Sequence, residues 1–398
     1  MDALMLPLPK DWEIKTFRDI STINQGLQIP ISQRLKAPTE HAKFYITIQA
    51  LNNRKEFEYI KTYNESVVCH KDDILMTRTG NTGMVITNIE GVFHNNFFKI
   101  NFDRTLINKD FLVYFLSLEQ TQKTILRKAG TSTIPDLNHN DFYSLSIPLP
   151  PLNEQIAIAN ILSDVDHYLC SLDALILKKE SVKKALSFEL LSQRKRLKGF
   201  NQAWQRVRLG TYKYRRGSFP QPYGNPQWYS DNGMPFVQVY DVGENFKLTQ
   251  KTKQKISKIA QPMSVFVPKN SVIITLQGTI GRVALTQYDC YCDRTILIFD
   301  NNTLNDVNKY FFVLSLFTKF EEEKRKADGS IIKTITKQTL KDFEILLPPL
   351  NEQIAIANIL SALDHEIISL KNKKRQFDNI KKALNHDLMS AKIRVLKK

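Results

Sequence analysis

Two stretches of the chain carry apolar residues at alternating steps of four and three. One runs through Ile158, Leu162, Val165, Leu169, Leu172 and Ile176, continues over Lys179 and Lys183, and resumes at Leu186 and Leu190. The other runs through Ile356, Leu360, Leu363, Ile367 and Leu370, then Lys374, Phe377 and Lys381, then Leu384 and Leu388. That period is the seam of a helix packed lengthwise on another helix. It predicts two helices of about 40 residues, each about 60 Å long at the usual rise per residue. A helix that long with one apolar stripe needs a partner, and each stretch is the obvious partner of the other. Each must also lead out of its own globular part, so the pair is expected to be antiparallel, with a globular part at either end. Lysines in the seam can lay their stems along it and send their ammonium groups to water; such polar layers specify register. Pro148, Pro150 and Pro151 keep the chain extended before the first helix. Asn153 then stands as its N-cap, with Glu154 in the first turn, where the helix dipole favours a negative charge.

Elsewhere the apolar residues alternate in short runs broken by turn residues. FYITIQAL (Phe44–Leu51), Asp73–Gly80, Phe93–Ile100, PFVQVYDV (Pro235–Val242) and Ser271–Gly278 read as strands. Helices are expected over Asp110–Ala129 and Asp306–Ala327. The fold class is therefore α+β: two globular parts with antiparallel or mixed sheets, separated by an antiparallel pair of long helices. The most apolar runs, Phe111–Leu118 and Tyr310–Phe317, are less than half the roughly 20 residues that cross a bilayer. The opening MDALMLPLPKDW lacks the basic-then-apolar layout of a signal peptide.

The two halves are copies. PPLNEQIAIANILS occupies Pro150–Ser163 and recurs letter for letter at Pro348–Ser361, 198 residues on. Asp166-His167 matches Asp364-His365, and Lys183-Lys184-Ala185-Leu186 matches Lys381-Lys382-Ala383-Leu384 at the same offset. Upstream, INQGLQIP (Ile23–Pro30) faces YRRGSFPQ (Tyr214–Gln221), and TRTGNTG (Thr77–Gly83) faces TLQGTIG (Thr275–Gly281), with the glycines in register. Collinear matches of this length define two similar units, each a variable globular part followed by a near-constant helix. The boundaries read as 1–150 and 200–348 for the globular parts, and 151–199 and 349–398 for the helices.

Charge points to the partner. The chain holds 56 Lys and Arg against 40 Asp and Glu, a net +16, which fits a polyanion, nucleic acid before membrane. Candidate base-reading residues come from the matched loops, because arginine fits guanine edges and glutamine fits adenine. The first part offers Gln25, Gln28, Arg34, Thr47, Arg78, Thr79, Asn81, Thr131 and Thr133. The second offers Arg215, Arg216, Ser218, Gln221, Gln238, Gln277, Thr279, Arg282, Ser330 and Lys333. Frames are kept between copies while polar tips differ, as expected of two readers of different sequences; loop drift after duplication gives the same pattern. The identical helix starts, Asn153-Glu154-Gln155 and Asn351-Glu352-Gln353, are candidates for contact with a shared partner. The basic ends Gln193–Lys198 and Lys392–Lys398 read either as solvated faces or as sites for phosphate or an acidic partner.

Catalytic chemistry does not stand out. The glycine loops lack the GK[ST] ending of a phosphate loop, and Pro135-Asp136 has no Glu-x-Lys at nuclease spacing. Cys290 and Cys292 form C-x-C without a second pair, so no metal site is expected, and four scattered cysteines fit a reducing cytoplasm. His167 and His365 each follow an aspartate, and their identical place on two long helices argues for the helix surface over an acid–base pair.

These features together resemble the specificity subunit of type I restriction–modification systems. The resemblance is carried by PLPPLNEQIAIANIL and its copy LLPPLNEQIAIANIL, the helices after them, RRGSFPQP, and TRTGNTG with TLQGTIG, and it covers essentially the whole chain. It implies two target recognition domains, each reading half of a bipartite double-stranded DNA site, with the helices setting the unread spacer. It also implies a prokaryotic cytoplasmic setting, two docked methyltransferase subunits that bring S-adenosylmethionine, and ATP- and Mg-dependent nuclease subunits. No cofactor and no catalysis are expected on this chain. The first part departs from the pattern, with NQGLQIP where the second has RRGSFPQP. The readings left beside it are a coiled-coil adaptor without a DNA role and a self-sufficient DNA-modifying nuclease. Salt-dependent DNA binding distinguishes the first of these, and cleavage by the chain alone the second.

Overall fold

The computed structural model describes residues 8–52, 57–243, 245–278, 280–326 and 337–395. It divides into two compact units, Met1–Leu175 with Lys371–Lys398, and Ile176–Leu370. The division falls inside both long helices, so each unit holds one globular part, the start of its own helix and the end of the other.

In the first unit β1 (Glu13–Thr16) is followed by a short α1 (Phe17–Ile20), β2 (Ser21–Gln25), β3 (Lys43–Ile46), α2 (Ile48–Asn52), β4 (Tyr59–Ile60) and β5 (Val68–Cys69). Then come β6 (Ile74–Thr77), β7 (Val85–Ile86), β8 (Gly91–Phe93), β9 (Phe97–Phe102), α3 (Lys109–Leu116), α4 (Glu119–Ala129), α5 (His139–Tyr143) and β10 (Ser146–Leu149). Strand β10 leads into the long α6 (Leu152–Leu191). Two four-stranded sheets form, ordered β2-β9-β6-β7 and β4-β3-β8-β5, and β1 pairs antiparallel with β10 from Glu13↔Leu149 to Thr16↔Ser146. That two-stranded clasp ties the entry of the globular part to the base of its helix.

The second unit repeats the plan with β11 (Gln205–Arg208), β12 (Tyr214–Arg216), β13 (Tyr229–Val237), β14 (Gln254–Ile256), β15 (Val265–Val267), β16 (Val272–Thr275), β17 (Val283–Leu285), β18 (Cys290–Cys292) and β19 (Ile296–Phe299). Helix α7 (Lys309–Lys326), α8 (Lys337–Asp342), β20 (Glu344–Leu347) and α9 (Leu350–Met389) complete it. The sheets are β12-β19-β16-β17 and β14-β13-β18-β15, with β11 clasping β20. Strand for strand this is the order of the first unit, including the parallel pairing of β3 with β8 and of β13 with β18.

Four expectations change. Phe93–Ile100 is not one strand: β8 ends at Phe93 and β9 begins at Phe97, across a tight turn in which the Phe97 amide donates to the His94 carbonyl at 3.0 Å. FYITIQAL is not one strand: β3 ends at Ile46 and α2 begins at Ile48, because the Thr47 hydroxyl accepts the Ala50 amide at 3.1 Å and caps a helical turn. PFVQVYDV likewise leaves β13 at Val237 for a helical turn over Val239–Asp241. The helix expected over Asp110–Ala129 is two, broken at Ser117-Leu118. There Gln122 donates its side-chain amide to the carbonyls of Leu116 at 2.6 Å and Gly83 at 2.7 Å. A continuous helix would have kept the Leu116 carbonyl for its own ladder.

In the first unit Phe17, Phe98, Phe111 and Phe142 form one core with Ile158 and Leu162 of α6 and Leu388 and Met389 of α9. In the second, Phe299, Phe311, Phe312 and Phe320 do so with Ile356 and Leu360 of α9 and Leu190 of α6. The seam positions of the helices are thus the floor of each globular part as well as the contact between helices. Among the described residues no helix is long and apolar enough to cross a membrane.

Candidate nucleic-acid interface

The repeated motif is a junction. Helix α6 starts at Leu152, one residue before the expected cap, because the Pro151 carbonyl takes the amides of Glu154 and Gln155. Asn153 instead accepts the Glu154 amide on its side chain at 3.0 Å and remains exposed. Glu154, only 2% exposed, receives the Trp12 indole N–H at 3.1 Å and the Arg394 guanidinium at 2.7 and 2.9 Å. Arg394 also reaches Asp11 at 2.9 Å. Glu352, 1% exposed, receives the Trp204 indole at 3.1 Å and Arg196 at 2.7 Å. Gln155 accepts the Asn108 amide and donates to the Pro150 carbonyl, and Gln353 does the same with Asn308 and Pro348. Glu154, Gln155, Glu352 and Gln353 therefore face inward, and only Asn153 and Asn351 of the two triplets look outward. Burying a carboxylate is costly unless it is paired and hydrogen-bonded, and each tryptophan–arginine pair supplies those partners. Two residues of the basic helix ends, Arg196 and Arg394, are used in this way.

The seam lysines are paired in the same internal manner. In the first unit Lys374 meets Asp173 at 3.0 Å and Lys381 meets Asp166 at 2.5 Å. In the second, Lys179 meets Glu366 at 2.8 Å and Lys183 meets Asp364. Numbers rise on one helix as they fall on the other, so the segments within each unit run antiparallel. The two aspartates also accept a tyrosine hydroxyl, Tyr114 on Asp166 at 2.8 Å and Tyr310 on Asp364. Burial and then the neighbouring carboxylate push both phenols well above their usual range, so they stay donors. His167 and His365 are exposed on the helix surface.

The candidate loop residues separate into two groups. Arg34 gives two bonds to the Ile29 carbonyl, pairs with Glu58 at 2.8 Å and stacks on Tyr45. Arg78 pairs with Asp136 at 2.7 Å over the Phe98 ring. Thr47 is buried as the α2 cap. Gln238 accepts the Tyr240 hydroxyl and anchors the turn with Asp241, and Arg282 donates to the Val242 carbonyl at 3.3 Å. These five, expected as base readers, spend most of their polar atoms on the fold. Gln28, Asn81, Thr131, Thr133, Arg215, Arg216, Gln221 and Gln277 are exposed, and Gln25, Thr79 and Ser218 half-buried. Arg215 makes one bond, to the Phe266 carbonyl at 3.2 Å, and Ser218 one to Met263 at 3.0 Å. Thr279, Ser330 and Lys333 lie outside the described residues.

The frames match in three dimensions. A Cβ on Gly26 would sit 2.2 Å from the Phe93 carbonyl, and one on Gly217 2.2 Å from the Cys292 carbonyl. Each glycine lets its loop lie against the turn after β8 or β18. That turn carries two residues absent from the sequence candidates: Asn95, which donates to Gln28 at 3.2 Å, and exposed Arg294, whose guanidinium lies 5.3 Å from the Tyr223 ring centre. Neither lies in a glycine loop, and at the offset of 198 Asn95 falls on Asp293 rather than Arg294, so nothing in the sequence signals the pair. Among the described residues no cluster of three His, Cys, Asp or Glu is placed to hold a metal ion.

The family model for the type I restriction modification DNA specificity domain matches residues 9–184 and again 220–377. A putative type I restriction enzyme MjaX specificity subunit of Methanocaldococcus jannaschii is 26% identical over 98% of this chain and 95% of its own length. The MjaVIII specificity subunit of the same organism is 24% identical with the same coverage. Among solved structures, an S subunit of a type I restriction–modification system from M. genitalium aligns with a TM-score of 0.62 at 16% identity, over 98% of this chain and 99% of its own. An HsdS subunit from Thermoanaerobacter tengcongensis aligns at 0.51 and 19%, over 97% and 98%. These likenesses concern the fold.

Proposed function

From the premise that this chain belongs to the type I restriction–modification DNA specificity family, we propose that it is the sequence-reading subunit of such a complex and is itself non-catalytic. Each globular part reads one half of a bipartite site in double-stranded DNA. The observation that carries this reading is the pairing of a common frame with different polar tips, half-buried Gln25 and Asn95 with exposed Gln28 in one unit and three exposed arginines in the other. Behind Gly26 stand Gln25, Gln28 and Asn95, and behind Gly217 stand Arg215, Arg216 and Arg294. Amides suit adenine edges and guanidinium groups suit guanine or phosphate. The net charge of +16 supplies the nonspecific attraction to phosphates.

The long helices form an antiparallel coiled coil with internal pseudo-twofold symmetry, and its length sets the unread spacer; the repeated lysine–carboxylate pairs support that register. Two methyltransferase subunits dock on the helix starts. In support, Ile156 and Ile354 of the identical motif are 41% and 40% exposed, between exposed Asn153 and Asn160 in one copy and Asn351 and Asn358 in the other. S-adenosylmethionine belongs to those subunits, and ATP with Mg to the restriction subunits. The deciding experiment expresses the full chain with its methyltransferase partner in cells lacking DNA methylation and maps modified adenines by sequencing. A single two-part motif with a fixed spacer is expected. Replacing residues 8–150 by those of a relative should change one half of the motif, and a change in both halves or in neither would refute the reading.

A further inference from the structure

We propose that the twin tyrosine–aspartate–lysine clusters are positioning devices that fix the angle of each recognition part on its helix pair, and thereby the range of spacers the protein accepts. This rests on the reading of the chain as a DNA specificity subunit.

One carboxylate joins three elements in each unit. In the first, Tyr114 of α3 donates to Asp166 Oδ2 of α6, and Lys381 of α9 takes Asp166 Oδ1. The Lys381 ammonium lies 5.5 Å from the Tyr114 ring centre, and the Asn385 side-chain amide of α9 donates to the Tyr114 carbonyl at 3.3 Å. In the second, Tyr310 of α7 donates to Asp364 Oδ2 of α9, and Lys183 of α6 takes Asp364 Oδ1. The globular part thus grips both helices through one hydroxyl.

The tyrosines are not equivalent residues. Helix α3 is capped by Asn108, whose side chain accepts the Phe111 amide, and α7 by Asn308, whose side chain accepts the Phe311 amide. Counted from these matched caps, Tyr114 stands six residues in and Tyr310 two, about one helical turn apart. Yet both place a hydroxyl on the same oxygen of matched aspartates. Inheritance keeps a residue in its place. Here the aspartate and lysine stay 198 apart in the two copies, while the tyrosine has moved a turn and the contact has survived. The contact, rather than the residue, has been kept.

Apolar packing holds α3 and α7 on the helices, but it is non-directional and tolerates rolling. A phenol–carboxylate bond is directional. The carboxylate cannot follow a rolling tyrosine, because a lysine from the opposite helix pins its other oxygen. The cluster therefore converts general adhesion into one preferred angle, and the angle decides where each half-site must lie along the DNA.

The test is the same mapping of modified adenines, made with Tyr114→Phe, Tyr310→Phe and both together, which remove only the hydroxyls. Both half-sites should be read as before. Modification at spacers one base pair shorter or longer should rise about tenfold relative to the native spacer, the factor expected on losing a hydrogen bond to a charged group. Lys183→Met and Lys381→Met keep the tyrosines but unpin the carboxylates, and should broaden the spacer in the same way. A uniform fall at all sites with the spacer unchanged would mean the clusters only stabilise the fold, and would overturn the proposal. Absence of any bipartite motif with the unaltered chain would instead sink the specificity-subunit reading beneath it.

Discussion

Replacing Arg394 by alanine removes two of the three side-chain donors to Glu154. The carboxylate, 2% exposed in the intact chain, would keep the Trp12 indole at 3.1 Å as its remaining side-chain partner. Breaking a buried ion pair from one side costs roughly 3–5 kcal/mol, chiefly from the uncompensated charge. The Arg394 side chain is 28% exposed, so water can reach part of the vacated space, and the lower end of that range, about 3 kcal/mol, applies. Since 1.4 kcal/mol is a factor of ten, amides of the first unit should exchange with solvent about a hundredfold faster. Hydrogen exchange read by mass spectrometry on the full chain resolves this peptide by peptide. Peptides from residues 9–20 and 152–170 should accelerate, and those from 205–300 should not. Arg196→Ala should reverse the pattern through Glu352. In a Glu154→Gln background, where no buried charge remains, Arg394→Ala should cost about 1 kcal/mol. An acceleration under threefold, or equal acceleration in both units, would refute the argument that each arginine closes one buried carboxylate.

Two further outcomes follow from the division of the loop residues. Arg216→Ala, at an exposed side chain with no hydrogen-bond or ion-pair partner among the described residues, should weaken reading of the second half-site by about 1–3 kcal/mol in competition binding and leave thermal stability unchanged. Arg78→Ala should do the opposite, lowering stability of the first unit by about 0.5–1 kcal/mol in denaturant unfolding, since it breaks the pair with half-exposed Asp136 and uncovers the Phe98 ring. Ile156→Asp and Ile354→Asp, at exposed positions, should leave the unfolding temperature within a few degrees of the parent while methyltransferase binding, measured by calorimetry, falls at least tenfold. Unaltered binding by the double variant would place the docking surface elsewhere.

The long helices, their seams and the duplication were legible because each rests on a local or periodic pattern. Of the apolar seam positions in α6 and α9, Ile158, Leu162, Leu169, Leu172, Ile176, Leu190, Ile356, Leu360, Ile367 and Leu388 are buried, while Val165, Leu186, Leu363, Leu370, Phe377 and Leu384 are half-buried. Shorter elements were less legible where one side chain redirects the backbone. Thr47 turns a strand-like run into a helix, and Gln122 splits an apolar helix without disturbing its periodicity. The site was legible as a set of loops, not as residues. Arg34, Arg78 and Arg216 look alike in sequence, and what separates them is Glu58 and Asp136, far along the chain. The inward turn of Glu154 and Glu352 was equally hidden, because their arginines follow the opposite helix. Tyr114 and Tyr310 escaped because alignment of the copies does not place them together.

The way the first unit is assembled also orders its birth on the ribosome. Its first part is complete at Leu175, but Leu384, Leu388, Met389 and Arg394, which cover its floor and close Glu154, come after Lys371. The whole of the second unit is synthesised in between. At about 5–20 residues per second that interval lasts roughly 10–40 s. Throughout it Ile158 and Leu162 lack part of their cover and Glu154 lacks its cation, whereas Ile176–Leu370 emerges as one uninterrupted segment and can close first. The earlier-made half would then be the later to mature, with its uncovered helix a transient target for chaperones.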